Sequence, residues 1–332
     1  MAIRLIGRQA IVVGAGMAGL PAARALADFF EQVIVLERDT LPPDVAHRTG
    51  TPQSRHVHAL LGGGQRALGD LFPGFEQDLA AAGAVPLRVG LEVRVETPGF
   101  DPFPQRDLGW IAYSMSRPLI ERVLRRRVER HANITIRDHC RVRNIEAASD
   151  GAAVSAIRLT NSNGNSETLA ADLVVDASGS GNPTTAMLES TGRERPTESV
   201  IEVDIGYASA TFAIPDEKPP DWKGVTTIPQ APQQSGGGLM LPLEQNRWLL
   251  SLGGRHGNKP PGDWDGFLAY AHQLRTPTIY DTIKRAERLG AVARFGFPAS
   301  LRRHFERLDD FPRGLLPFGD ALCASTRSMV RA

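Results

Sequence analysis

An α/β fold, built on a buried parallel sheet and carrying an inserted, mainly β region, is what this sequence predicts. Three observations carry that reading. A strand, a glycine turn, a helix and a second strand follow one another at the N-terminal end; a further buried strand at 172–176 runs into glycines; and short alternating strands occupy roughly 198–252. The chain has 332 residues, 42% hydrophobic and 23% charged, so it can bury one large or two moderate cores.

The apolar run 10–13 suits a strand buried on both faces, and Gly14, Ala15, Gly16, Met17, Ala18 and Gly19 follow it at once. In that setting Gly14 permits a tight turn, Gly16 lets the backbone approach a diphosphate, and Gly19 lets the helix pack on the strand. Residues 20–30 continue as a small-residue helix whose first N–H groups are available to phosphate, with Pro21 tolerated near the first turn. QVIVLE is the second strand. Glu37 at its end lies about 20 residues past the glycines, where an acid accepts ribose hydroxyls. The segment therefore predicts an adenine-dinucleotide site. An acid at that place argues against a 2′-phosphate, although Arg38 follows. The residues alone leave NAD and FAD both open.

Several classes are disfavoured. A net charge of +1 provides no field for nucleic acid, and the basic run 122–131 reads as a solvated helix face. Cys140 and Cys323 make neither a disulfide framework nor a zinc site, which fits a cytoplasmic location. No signal peptide is read at the N-terminus, and no apolar stretch approaches the roughly 18 residues of a transmembrane segment. His56 and His58 share one side of an extended segment, but no third ligand is spaced to join them, so no metal is expected. No nucleophile elbow and no paired carboxylates emerge, so catalytic residues stay unassigned. The alternating segments from 198 to 252 form a sheet suited to a substrate wall, followed by helices over 263–274 and 278–289.

ERDTLPPDVAHRTGTPQSRHVHALLGGGQRALGDLFPGF, SRPLIERVLRRRV, DLVVDASGSG, LPLEQNRWLLSLGG and LLPFGDALC together resemble FAD-dependent monooxygenases of the aromatic-hydroxylase and epoxidase superfamily. The resemblance spans nearly the whole chain. It implies a Rossmann-like FAD-binding domain over 1–190 and 303–332, and a mainly β substrate domain over 191–302 with 85–110 as a candidate contributor. FAD is then the cofactor and NADH or NADPH the co-substrate. The implied reaction hydroxylates or epoxidises a small apolar, aromatic or unsaturated molecule with O2. By the same resemblance Arg117 contacts the dinucleotide, Arg48 lies along it toward the isoalloxazine, and the backbone at Val142 meets the adenine. Gly319 and Asp320 fall near the flavin ribitol. Ser178-Gly179 stands where aromatic hydroxylases carry an Asp-Gly pair linked to NADPH, so no nicotinamide role is carried over there. The halogenases' Trp-x-Trp-x-Ile-Pro segment is absent, which reads against halogenation; a flavin dehydrogenase or reductase is the enzyme alternative. Substrate identity and oligomeric state are not specified.

Gly319, Asp320 and Ala321 match the family's pattern, but the ASTRSMVRA that follows does not. The expectation is a frameshift. With suitable codons, residues 324–332 read two bases later give Phe-Asn-Pro-Val-His-Gly-Gln-Gly-Met, the continuation the family carries. A chain truncated in this way is expected to lose flavin readily or to be an inactive remnant, and coding DNA incompatible with the shifted reading ends that expectation.

Overall fold

The computed structural model describes residues 4–215 and 220–325. The frameshift expectation falls mostly on 326–332, outside the described residues. The chain divides into two units. The first opens with β1 (Gly7–Val13), α1 (Gly19–Ala27) and β2 (Phe30–Leu36). Residues 51–120 belong to the second and carry α2 (Gly62–Leu71), α3 (Phe75–Ala81), β3 (Val85–Arg88), β4 (Val93–Glu96), β5 (Ile111–Ser114) and the start of α4 (Arg117–Glu129). From residue 121 the first unit resumes, with β6 (Ile134–Arg137), β7 (Arg141–Ala147), β8 (Val154–Thr160), β9 (Ser166–Ala170), β10 (Leu173–Asp176), α5 (Asn182–Ser190) and the start of β11 (Glu198–Ala213). Residues 202–299 return to the second unit for β12 (Gly224–Thr227), β13 (Gly237–Leu243), β14 (Arg247–Arg255), α6 (Trp264–Gln273), α7 (Pro277–Ile283) and most of β15 (Ala293–Arg303). The described part of the first unit closes with β16 (Leu315–Pro317), a 3₁₀ turn at Gly319–Ala321 and β17 (Cys323–Ala324).

In the first unit the strands pair as β16-β10-β1-β2-β6, all parallel. Such strands are buried on both faces, which is why they read as continuous apolar runs rather than alternating ones. Ile11 and Val13 face a core with Ile145, Ile157 and Leu159 of the β7–β8–β9 meander and Met187 of α5. Ala10 and Val12 are fully buried on the other face, and the Val12 side chain meets Gly19 of α1. The chain order reverses at β1: β2 and β6 lie on one side, β10 and β16 on the other. In open α/β sheets, ligands bind outside the carboxyl ends of the strands at such a reversal. The last residues align in one row, Arg137, Leu36, Val13, Asp176 and Pro317, so all five strands deliver their following loops to one edge.

The second unit pairs β11, β14, β13 and β12 antiparallel in turn, with β4 parallel to β12. Its core gathers Phe212, Trp248, Leu250 and Met240 under Phe267, Tyr270, Ile279 and Ile283 of α6 and α7. The predicted strands 198–252 and the helix over 263–274 are all present. All of 51–120 falls in this unit, where only 85–110 was expected to contribute: β4 adds to β12, and the Ser114 hydroxyl donates to Pro242 O at 2.6 Å. Two helices end early. Phe30 leaves α1 to begin β2, packing across Gly7. Residues 284–289 leave α7 because their backbone turns to β11, with Ala213 N–H donating to Glu287 O at 2.9 Å and Leu289 N–H to Thr211 O at 2.8 Å. Among the described residues, no helix is long and apolar enough to cross a membrane.

Tyr270 gives this unit an alkaline limit. Its hydroxyl is buried against Gly253 O (3.2 Å) and Asn258 O (3.1 Å), and burial pushes its pKa up to about 12 from 10.0. A raised folded-state pKa means stability fully present below the unfolded value and lost as pH rises from about 10 to about 12. The loss amounts to roughly 2 to 3 kcal/mol. Tyr270→Phe is expected to cost about 1 kcal/mol near neutrality but to flatten that decline. Urea melts of both proteins across the alkaline range measure it; parallel curves would contradict it.

Candidate functional site

The loops leaving the row of strand ends build one constellation in the first unit. Gly14 adopts φ +103°, donates its N–H to Leu36 O at 2.7 Å, and would place a Cβ 2.7 Å from Ala177 O. A Cβ on Gly19 would overlap the Gly14 carbonyl. Gly16 is different: apart from its chain neighbours, only Arg48 Nη2 comes within 4 Å of the point where its Cβ would stand, at 3.7 Å. The turn is tight where it must be and open at Gly16. Helix α1 begins just beyond, at Gly19, with no acid in its first turn to offset the positive end of its dipole.

Glu37 follows β2 and is 5% exposed. Its Oε2 accepts the Ala15 N–H at 2.9 Å and meets Arg48 Nη1 at 2.9 Å, while its Oε1 accepts the Asp39 N–H at 3.0 Å. The acid is thus fastened to the middle of the glycine turn. Arg48 reaches three carboxylates: Glu37, Asp39 Oδ2 at 3.2 Å and, through Nε, Glu121 Oε2 at 3.4 Å. Burial alone lowers its pKa, but Glu37, Glu121 and Asp39 outweigh that and the net shift is upward. Arg38, beside Glu37, points outward, with a distant surface pair to Asp39 at 3.9 Å.

Gly319 (φ +64°) crosses the start of α1, where its Cβ would stand 2.8 Å from the Ala18 methyl, and exposed Asp320 follows. Phe318 N–H donates to Asp176 O at 2.9 Å, tying this segment to β10. Val142 lies on β7 opposite Leu159, at a register shift, with its side chain partly buried in the first unit's core. The first unit therefore brings Gly14, Gly16, Gly19, Glu37, Arg48 and Gly319 together. Arg117 stands in the second unit, buried as the first residue of α4, whose opening turn is served by the Ser116 hydroxyl accepting the Leu119 N–H at 3.3 Å.

Sequence reasoning missed Asp39, Glu121 and Asp176. The first two act through a loop and a helix that no spacing rule connects. In the second unit, His56 Nδ1 bonds the Ser209 hydroxyl at 2.7 Å and His58 Nδ1 bonds His56 O at 2.8 Å. Among the described residues, no group of three His, Cys, Asp or Glu could hold a metal ion. Further along α4, Arg125, Arg126 and Glu129 line a cavity of about 290 Å³ with Leu41, Pro43, Ile136 and Asp138. Of these, Arg125 lies one helical turn from Glu121, about 6 Å along the axis, and Glu129 about 12 Å.

The opening at Gly16, the buried acid and the helix end fit the ADP half of a dinucleotide. Comparison with known proteins names a family. The family described as FAD binding domain matches residues 8–263. Protein Rv3254 of Mycobacterium tuberculosis is 36% identical over 336 residues, covering 95% of this chain and 68% of that protein. Among solved structures, the myxobacterial chondrochloren halogenase CndH, described as a FAD-dependent halogenase, superposes with a TM-score of 0.70 at 18% identity, covering 97% of this chain and 70% of its own. The flavin-dependent brominase Bmp2 gives 0.68 at 17%, covering 96% and 72%. PqsL of Pseudomonas aeruginosa, described as a probable FAD-dependent monooxygenase, gives 0.65 at 14%, covering 96% and 79%. At those identities the structural likeness is one of fold. With its match over residues 8–263 and the glycine turn and acid in place, the chain belongs to the FAD binding domain family of flavin-dependent oxidoreductases.

Proposed function

We propose that this chain is an FAD-dependent monooxygenase that hydroxylates or epoxidises a small aromatic or unsaturated molecule, using NADH or NADPH and O2. The observation that supports it most is the join of Glu37 to the Ala15 N–H beside the opening at Gly16. Glu37 would accept the adenosine ribose hydroxyls. The backbone at Gly16 and the start of α1 would receive the diphosphate, with Arg48 Nη2 alongside. Gly319 and Asp320 would meet the flavin end, Val142 the adenine through its backbone, and Arg38 the outer rim. The chemistry supplied by bound FAD is electron uptake from the nicotinamide coenzyme and activation of oxygen. The second unit, with its apolar core, is the proposed seat of substrate recognition. A small aromatic class is favoured by the likeness to PqsL, whose structure has been solved with 2-aminobenzoylacetate.

A second reading, halogenation, is favoured by the fold shared with CndH and Bmp2. The test is FAD titration of the purified chain by flavin fluorescence, followed by NADH- and NADPH-driven oxygen uptake with small aromatic and polyunsaturated compounds, with and without bromide. The expected result is saturable quenching and substrate-stimulated uptake, with labelled oxygen entering the product. Turnover without oxygen consumption would make it a dehydrogenase, and a bromide-dependent brominated product a halogenase. Absence of quenching would overturn FAD binding by this chain.

A further inference from the structure

Neither the glycine pattern nor the family resemblance marks Asp39 or Glu121, yet both converge on Arg48. We propose that Asp39 and Glu121 are positioning residues for diphosphate recognition: they hold the Arg48 guanidinium so that Nη2 is presented at the Gly16 opening. This rests on assigning the glycine turn and Glu37 to the ADP half of FAD.

A guanidinium is planar, so fixing two of its nitrogens fixes the third. Here Nη1 is shared by Glu37 at 2.9 Å and Asp39 at 3.2 Å, and Nε faces Glu121 at 3.4 Å. Nη2 stands 3.7 Å from the point a Cβ on Gly16 would occupy. The Arg48 side chain is only 8% exposed, so it has little room for another pose. Asp39 is itself anchored, because its Oδ2 accepts the Gly50 N–H at 2.6 Å and a side chain at Gly50 would run into that carboxylate.

On charge alone, three carboxylates around one guanidinium are unfavourable for an anionic ligand. Removing Glu121 should then tighten diphosphate binding, most strongly at low salt. On geometry, removing it frees Arg48 to turn onto Glu37 and Asp39 and withdraw Nη2 from Gly16, which weakens binding. The two accounts differ in sign.

The full chain and its Glu121→Ala, Glu121→Gln, Asp39→Asn and Arg48→Ala variants are titrated with FAD, ADP and adenosine, at low and high salt. Glu121→Ala is expected to weaken FAD and ADP about tenfold, the scale of one charge-assisted hydrogen bond. Adenosine, which lacks phosphate, should bind unchanged. Glu121→Gln keeps an acceptor for Nε and should stay within about threefold of wild type. Asp39→Asn keeps an acceptor for Gly50 but weakens its hold on Arg48, and should lose FAD and ADP affinity. The proposal is overturned if Glu121→Ala binds ADP as well as or better than wild type while Arg48→Ala loses it. It is equally overturned if adenosine suffers the same loss, which marks a merely structural role. Normal ADP binding by Arg48→Ala would sink the assignment of Arg48 to the diphosphate, and the proposal with it. A wild type that binds neither FAD nor ADP would sink the cofactor assignment itself.

Discussion

Gly19→Ala is expected to leave little folded protein, whereas Gly16→Ala is expected to fold like wild type and lose FAD. The two sites differ by three positions in one turn and by what surrounds them. A methyl at residue 19 would overlap the Gly14 carbonyl oxygen, with the Gly14 carbonyl carbon at 2.9 Å and Val12 Cγ1 at 3.3 Å. The colliding atoms are backbone of the central strand's exit, so relief requires moving α1 away from the sheet. Overpacking costs about 1 to 3 kcal/mol where side chains can shift. Collision with fixed backbone belongs at or above the top of that range, a large share of the roughly 5 to 15 kcal/mol that holds a domain folded. At residue 16 the same methyl meets only Arg48 Nη2 at 3.7 Å, an ordinary contact. It would instead fill the space proposed for the diphosphate and weaken FAD by about a hundredfold or more, roughly 3 kcal/mol. Urea melts and FAD titrations separate the two outcomes. Gly19→Ala melting like wild type would mean that the helix does not pack as described, and undiminished FAD affinity in Gly16→Ala would mean that the opening is not the cradle.

The same contrast explains how much of this molecule could be read from its sequence. The unit from β1 to β2 was legible because each of its constraints is local. The strand, the turn, the helix start and the acid are fixed by near neighbours, and Glu37 meets Ala15 only twenty-two positions away. Strands β11 to β14 were legible for a similar reason: alternation and intervening turns need no partner to be recognised. The meander β7–β8–β9 was not read as a layer. Its strands are short and half exposed, and their pattern becomes meaningful only once Ile145, Ile157 and Leu159 are seen to cover Ile11 and Val13. Of 51–120, only 85–110 was read as a contributor to the second unit; the placing of the rest depends on contacts such as Ser114 finding Pro242 across more than a hundred residues. The candidate site divides along the same line. Its glycines and Glu37 announce themselves by spacing, while Asp39 and Glu121 matter through Arg48, a contact that no periodicity encodes.

Asp176→Ala is expected to lower stability by about 3 to 5 kcal/mol and to weaken FAD beyond what unfolding explains. The residue is fully buried at the end of β10, in register with Val13 and Pro317. Its Oδ1 accepts the Ser178 N–H at 3.1 Å, and its Oδ2 accepts both the Thr184 N–H at 3.1 Å and the Thr184 hydroxyl at 2.7 Å. Alanine would leave these donors without an acceptor, and Thr184 has no access to water. An orphaned buried donor costs its desolvation, about 1 to 3 kcal/mol apiece. Asparagine should fall between, since its single oxygen can serve Ser178 but cannot also accept from both Thr184 donors. A double-mutant cycle with Thr184→Val isolates the hydroxyl's share, expected at about 1 to 2 kcal/mol of coupling. The effect on FAD follows from the other end of the residue. The Asp176 carbonyl accepts the Phe318 N–H, and the next residue, Gly319, lies against Ala18 at the start of α1. Loosening Asp176 therefore loosens one wall of the proposed diphosphate seat. Denaturant melts and FAD titration at a temperature where the variant is still folded measure both effects. A variant within about 1 kcal/mol of wild type would show that this acid does not fasten the strand ends together.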